Sequence, residues 1–289
     1  MYASPAEKNF HASGARIAYF EWGNTADPAI LLIHATGFHA RVWDQTVAAL
    51  PAGYRIIAVD LRGHGRSEKT GPLADWRLPA ADVSELVTHL GLRGAIGVGH
   101  SMGGHCLVQV AARHPECFSR LLLVDPVMIA PELYDAFTPP ASLDHPVARR
   151  RNQWASWQEM ENRFEARMPY SLWKKEVLAD YCRYGLEPDA SGEGFVLACP
   201  PAIEASVYLG HASKNIYPLA AKIEVPVVVL RAKEPAPDRD PMDFSNSPTW
   251  KDAASVFPHG RDVPLPRFTH FIPMQDPELT ARYITGDLP

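Results

Sequence analysis

Ala95-Ile96-Gly97-Val98-Gly99-His100-Ser101-Met102-Gly103 decides how this chain is read. Its first six residues form a short apolar run with small residues, the pattern of a strand buried on both faces. Met102 to His114 reads as a helix, with Arg113 and His114 suited to its negative C-terminal pole and Pro115 to end it. Ser101 therefore falls in the turn between a strand and a helix. Gly99 and Gly103 flank it in a G-x-S-x-G pattern, which lets the backbone fold back closely and leaves the hydroxyl exposed at the strand's C-terminal edge. The Met102 N–H, at the helix start, can then face a developing negative charge. The competing reading is an idle serine in a Gly-rich turn. Strand, turn and helix together weigh against it.

The same alternation continues on both sides. Upstream, Arg16–Trp22 reads as an early strand, Ala29–His34 and Tyr54–Asp60 as buried strands, and Val42–Leu50 and Pro79–Leu90 as helices. Downstream, Leu121–Asp125 is another apolar strand. Strands separated by helix-length segments imply an α/β fold with a doubly wound, mostly parallel sheet. The alternation breaks from Pro126 to about Tyr217, where no buried strand is evident. Trp154, Trp157, Glu161, Phe164 and Met168 recur at three- and four-residue steps there, as do Trp173, Val177, Tyr181 and Tyr184. Two amphipathic helices and an inserted helical cap are expected, dividing the chain into a core of residues 1–125 and 218–289 and a cap of 126–217. The strand pattern resumes at Pro226–Leu230. Ser247-Pro248 and Asp276-Pro277 both look like helix starts.

Composition narrows the functional classes. The 289 residues carry a formal net charge of −5, so no basic excess points to nucleic acid. No apolar run reaches the length of a membrane span, and Met1–Phe10 is too polar for a secretory signal. Cys106, Cys117, Cys182 and Cys199 form no C-x-x-C pair. Reduced thiols, a cytoplasmic setting and no metal site are the expectation. Arg149-Arg150-Arg151 could meet an anionic substrate, although a charge run is usually a solvated face.

Several motifs together make the chain resemble the α/β-hydrolase superfamily. They are His34-Ala35-Thr36-Gly37-Phe38 after one strand, Asp60-Leu61-Arg62-Gly63-His64-Gly65-Arg66-Ser67 after the next, the Ser101 turn, and His270-Phe271-Ile272-Pro273 near the end. The resemblance covers Ala29–Asp125 and Pro226 to the C-terminus. It implies a serine hydrolase that cleaves an ester-like bond of a small molecule through an acyl-enzyme on Ser101, with His270 as general base and no cofactor. It implies oxyanion donors at the N–H groups of Met102 and Thr36, with Gly37 or Phe38 as alternatives, since His-Ala stands here where the family often has His-Gly. The acid is expected just after the strand Val227–Leu230. Glu234 comes first, Asp238 and Asp240 follow, and Asp125 is the alternative placement. Phe38, Trp154 and Trp173 are candidates to touch substrate, against the plainer reading that the cap aromatics form its own core. Other chemistries of the same triad, namely carbon–carbon bond hydrolysis, perhydrolysis or a lyase reaction, are the runner-up. A non-catalytic ligand-binding relative is a rival of another class.

Overall fold

A computed structural model describes residues 2–136, 145–211, 214–236, 243 and 245–286. Eight strands form one sheet: β1 (Ala6–Ala12), β2 (Ala15–Trp22), β3 (Ala29–Ile33), β4 (Arg55–Val59), β5 (Ala95–His100), β6 (Phe118–Val124), β10 (Val227–Arg231) and β11 (Gly260–Pro264). Their order is β1-β2-β4-β3-β5-β6-β10-β11. β1 and β2 pair antiparallel, as do β2 and β4, and all later pairs are parallel. Side chains alternate between faces, as strand geometry requires. Leu31, Ile33, Ile57 and Val59 enter one apolar cluster; Ile30, Leu32, Ile56 and Ala58 enter the other. Both faces are therefore covered, which explains the uninterrupted apolar runs of the central strands.

The helices of the first half are α1 (Asp44–Ala49), α2 (Arg77–His89) and α3 (Met102–Arg113). β1 and β11 went unread in the sequence because both are largely exposed strands without a buried apolar run. Between β6 and β10 the chain leaves the main sheet. It builds α4 (Pro131–Asp135), α5 (Trp157–Phe164), α6 (Lys175–Tyr184), α7 (Pro201–Leu209) and α8 (Tyr217–Ala220). It also builds a small antiparallel sheet of β7 (Gln153–Trp154), β9 (Phe195–Leu197) and β8 (Leu186–Pro188). The aromatic spacing overextended the helices here. Trp154 lies in β7, Met168 is exposed beyond α5, and Trp173 precedes α6.

The chain closes with α9 (Ile272–Gln275) and α10 (Pro277–Thr285). Asp276 caps α10 as expected, accepting from the Leu279 N–H at 2.8 Å. No helix starts at Ser247. Its hydroxyl instead donates to the Asp125 carboxylate and accepts from the Thr249 N–H at 3.1 Å. Among the described residues no helix is long and apolar enough to cross a membrane. All four cysteines are free and buried.

Candidate active site

The turn between β5 and α3 holds Ser101 at φ 56°, ψ −119°, a conformation that side-chain-bearing residues rarely adopt. Tight packing fixes it there. A Cβ on Gly99 would lie 2.5 Å from the Gly103 carbonyl oxygen, and one on Gly103 would lie 2.4 Å from that of Ile33. Only glycine permits this approach of strand to helix. The Ser101 N–H donates to the Val124 carbonyl at 3.1 Å, tying the turn to the end of β6.

His270 follows β11 in a loop held by its own backbone. Its N–H donates to the Ser245 carbonyl at 2.8 Å. Its carbonyl accepts from the His100 Nε2–H at 2.8 Å. His100 is fully buried, and that burial keeps its pKa well below the ordinary histidine value, so it serves as a neutral donor. The His270 ring places Nε2 at 2.9 Å from the Ser101 Oγ and Nδ1 at 2.6 Å from the Asp125 Oδ2. Ser101 and His270 are nearly covered, at 6% and 8% exposed, and Asp125 is wholly buried.

The carboxylate on His270 is thus Asp125, not Glu234. Asp125 directly follows β6, with φ 44°. Its Oδ1 accepts from the Ala232 N–H at 2.9 Å, from the Ser247 hydroxyl, and at 3.4 Å from that of Thr249. Both oxygens of this buried charge therefore have hydrogen-bond donors, as burial demands. Glu234 points away. Its side chain is 68% exposed and accepts from Arg231 at 3.1 Å, while Arg231 also grips Asp262. Asp238 and Asp240 lie outside the described residues.

Opposite Ser101, Ala35-Thr36-Gly37-Phe38 forms a tight turn. The Phe38 N–H donates back to the Ala35 carbonyl at 3.2 Å, with Gly37 at φ 77°. The Phe38 N–H is thus committed elsewhere, while the N–H groups of Thr36 and Gly37 have no such partner among the described residues. The Thr36 hydroxyl touches the Met102 sulfur at 3.6 Å, so the two proposed donors belong to residues in contact.

A cavity of about 710 Å³ opens beside this turn, lined by Thr36, Gly37 and Phe38 on one side and by Ser245 and Phe271, next to His270, on another. Trp154 lines it as well. Trp173 is not among its lining residues; its ring packs between Phe38, Tyr170 and Phe271 at 4.8–5.7 Å, in an aromatic cluster behind the wall. Sequence reasoning missed the polar floor. Arg150 Nη1 meets Glu204 Oε2 at 2.7 Å, and Tyr170, Tyr181 and Tyr208 surround the pair. Burial raises the Glu204 carboxyl and Arg150 opposes that rise. Glu204 also packs against the Gly37 turn, since a Cβ there would meet its Oε1 at 2.5 Å. Arg150 lay in the quoted triplet, but nothing local to Glu204 marks it.

Residues 30–283 match the alpha/beta hydrolase family, well over half of the chain. The chain belongs to that family. Within it, the sequence is 26% identical over 275 residues to a bifunctional esterase/perhydrolase of Acinetobacter calcoaceticus, covering 92% of this chain and 93% of that protein. A non-heme chloroperoxidase of Streptomyces lividans is 38% identical over 123 residues, which span 41% of this chain and 45% of the relative. Among solved structures, an E-2-(acetamidomethylene)succinate hydrolase superposes with a TM-score of 0.75 at 22% identity, over 98% of both chains. The thioesterase domain of a curacin biosynthetic pathway superposes with a TM-score of 0.74 at 20% identity, over 98% of this chain and all of that domain. These two establish a shared fold.

Proposed function

We propose that this α/β hydrolase is a serine hydrolase cleaving an ester-like bond of a small molecule, with Ser101 as nucleophile, His270 as base and Asp125 as acid. One observation carries the reading: the continuous hydrogen-bonded series Asp125–His270–Ser101, at 2.6 and 2.9 Å, on a strained serine at the head of a helix. A hydroxyl is a weak nucleophile until a neighbouring base takes its proton. Asp125 fixes the tautomer with the proton on Nδ1, so Nε2 is free to accept. The Ser101 Oγ attacks the carbonyl carbon while its proton moves to His270 Nε2. The Met102 and Thr36 N–H groups hold the oxyanion. The imidazolium, stabilised by Asp125, then protonates the leaving group. Water repeats the sequence on the acyl-enzyme, releasing the acid and regenerating Ser101. Residues 126–217 act as a cap that shapes the acyl pocket.

A fluorophosphonate probe is expected to label Ser101 stoichiometrically, and Ser101→Ala to abolish both labelling and turnover of a p-nitrophenyl ester. Undiminished labelling of that variant defeats the assignment. A second reading, perhydrolysis, is favoured by the esterase/perhydrolase relative, whose length this chain covers almost completely. Hydrogen peroxide would replace water in the deacylation step and leave as the peracid.

A further inference from the structure

The chain as a whole is acidic, at −5, yet its large cavity is not. Its described lining residues include five cations, Arg150, Arg151, Arg163, Arg167 and Lys233, against two carboxylates, Glu204 and Asp243. The cations do not come from one charge run. Arg150 and Arg151 follow the short helical turn Pro146–Arg149, Arg163 and Arg167 belong to α5 and the turn after it, and Lys233 follows β10. Three separate segments thus converge on one mouth. Local partners account for some of this charge: Arg150 is held by Glu204 and Arg151 by Glu159. Arg163 and Arg167 have no ion-pair partner within 4 Å among the described residues, although Arg163 acts on Glu159 at longer range. Arg163 suits the C-terminal pole of α5; Arg167 lies beyond that helix and has no such role.

We infer that the cavity recognises a substrate bearing a negative charge remote from the scissile bond, with Arg163 and Arg167 at the mouth as its principal counter-charges. A cleft with an excess of one sign concentrates ligands of the other sign. Two chemistries present such a charge: a carboxylate at the far end of the acyl group, or phosphates on the leaving group of a thioester. The inference rests on the Ser101–His270–Asp125 reading, because the charge is placed relative to that nucleophile.

Two substrate pairs that differ in charge separate the possibilities. The first is 4-nitrophenyl hydrogen glutarate against 4-nitrophenyl methyl glutarate. The second is butyryl-coenzyme A against the butyryl thioester of N-acetylcysteamine. In at least one pair the charged member is expected to have a kcat/KM about tenfold higher at low ionic strength, the size of one charge-assisted hydrogen bond. That preference should fall toward parity in 0.5 M NaCl, where screening acts within about one contact length, and in the doubly substituted Arg163→Gln/Arg167→Gln enzyme. Preference in the glutarate pair assigns a carboxylate; preference in the thioester pair assigns phosphate. Neutral members turned over equally well or better in both pairs overturn the inference, as does a preference that salt leaves untouched in the unsubstituted enzyme. Turnover surviving Ser101→Ala is a different failure, that of the triad itself.

Discussion

Replacing Asp125 by Asn changes one buried atom and reverses the polarity of a hydrogen bond. On its Oδ1 side Asp125 faces the Ala232 N–H at 2.9 Å, a donor that cannot accept. The amide oxygen must stay there, because turning the NH2 toward Ala232 would set two buried donors against each other at a cost of about 1–3 kcal/mol. The NH2 group therefore faces His270 Nδ1, which sits 2.6 Å from the present Oδ2. Nδ1 must then accept, the ring proton moves to Nε2, and Nε2 donates to Ser101 instead of taking its proton. The base is lost while the geometry survives. By analogy with other Ser–His–Asp triads, kcat should fall about 10³–10⁴-fold, or ~4–5.5 kcal/mol of barrier, with KM little changed. Steady-state hydrolysis of a p-nitrophenyl ester, with folding verified by circular dichroism, measures this directly. Glu234→Gln belongs in the same assay and should stay within about twofold of the parent, since that side chain is mostly solvated. A folded Asp125→Asn enzyme within tenfold of the parent, or a hundredfold loss in Glu234→Gln, refutes the reasoning.

Acid should destabilise the fold steeply. Burial holds His34, His39, His64, His100 and His105 below the ordinary 6.5, with His39 at about 3 and His64 and His105 at about 4. These rings stay neutral when folded and charge when unfolded, so the stability they contribute is present above pH 6.5 and lost as pH falls below it. Asp60 and Asp180, raised by burial to about 6, act in the opposite sense. On balance unfolding just below pH 6.5 takes up protons, so the Tm is expected to fall between pH 7.5 and pH 5.5; a Tm unchanged over that range contradicts this. Gly103→Ala should destabilise by about 3 kcal/mol or more through collision with the Ile33 carbonyl, and a Tm equal to the parent's is the adverse result. Trp154→Ala should shift the acyl-length profile, because that ring lines the cavity. Trp173→Ala should cost about 3–5 kcal/mol of stability with the profile unchanged, and an exchange of these two outcomes reverses the assignments.

What the sequence disclosed follows from the range of the forces involved. The β5–turn–α3 unit, the central strands and α10 are specified locally, by apolar runs, glycines that allow backbone contact, and an Asp–Pro start. Edge strands carry no such mark: β11 is mostly exposed and is held by pairing with β10. In the inserted segment, Trp154 obeyed a helical spacing while lying in a two-residue strand, because burial needs only an apolar neighbour and not a particular backbone. The acid failed for a topological reason. β6 and β10 are adjacent, with Val124 opposite Leu230, so Asp125 and the start of the loop after β10 reach the same point in space. Chain order alone favours the later carboxylate. Deciding between them requires knowing that the Ala232 N–H and the Ser247 hydroxyl converge on the earlier one.

That convergence means β6 and the segment after β10 have exchanged parts. The earlier strand supplies the acceptor, and the later segment supplies donors, one of them a main-chain N–H. A main-chain donor is indifferent to the side chain that accompanies it. Substitutions at Lys233 and Asp243 can therefore rewrite the charge at the cavity mouth without touching the groups that hydrogen-bond Asp125. No such latitude exists at Val124-Asp125-Pro126. There a single inserted residue would shift the acid, the hydrogen bond from Ser101 to Val124 and the departure of the chain into the inserted segment all at once.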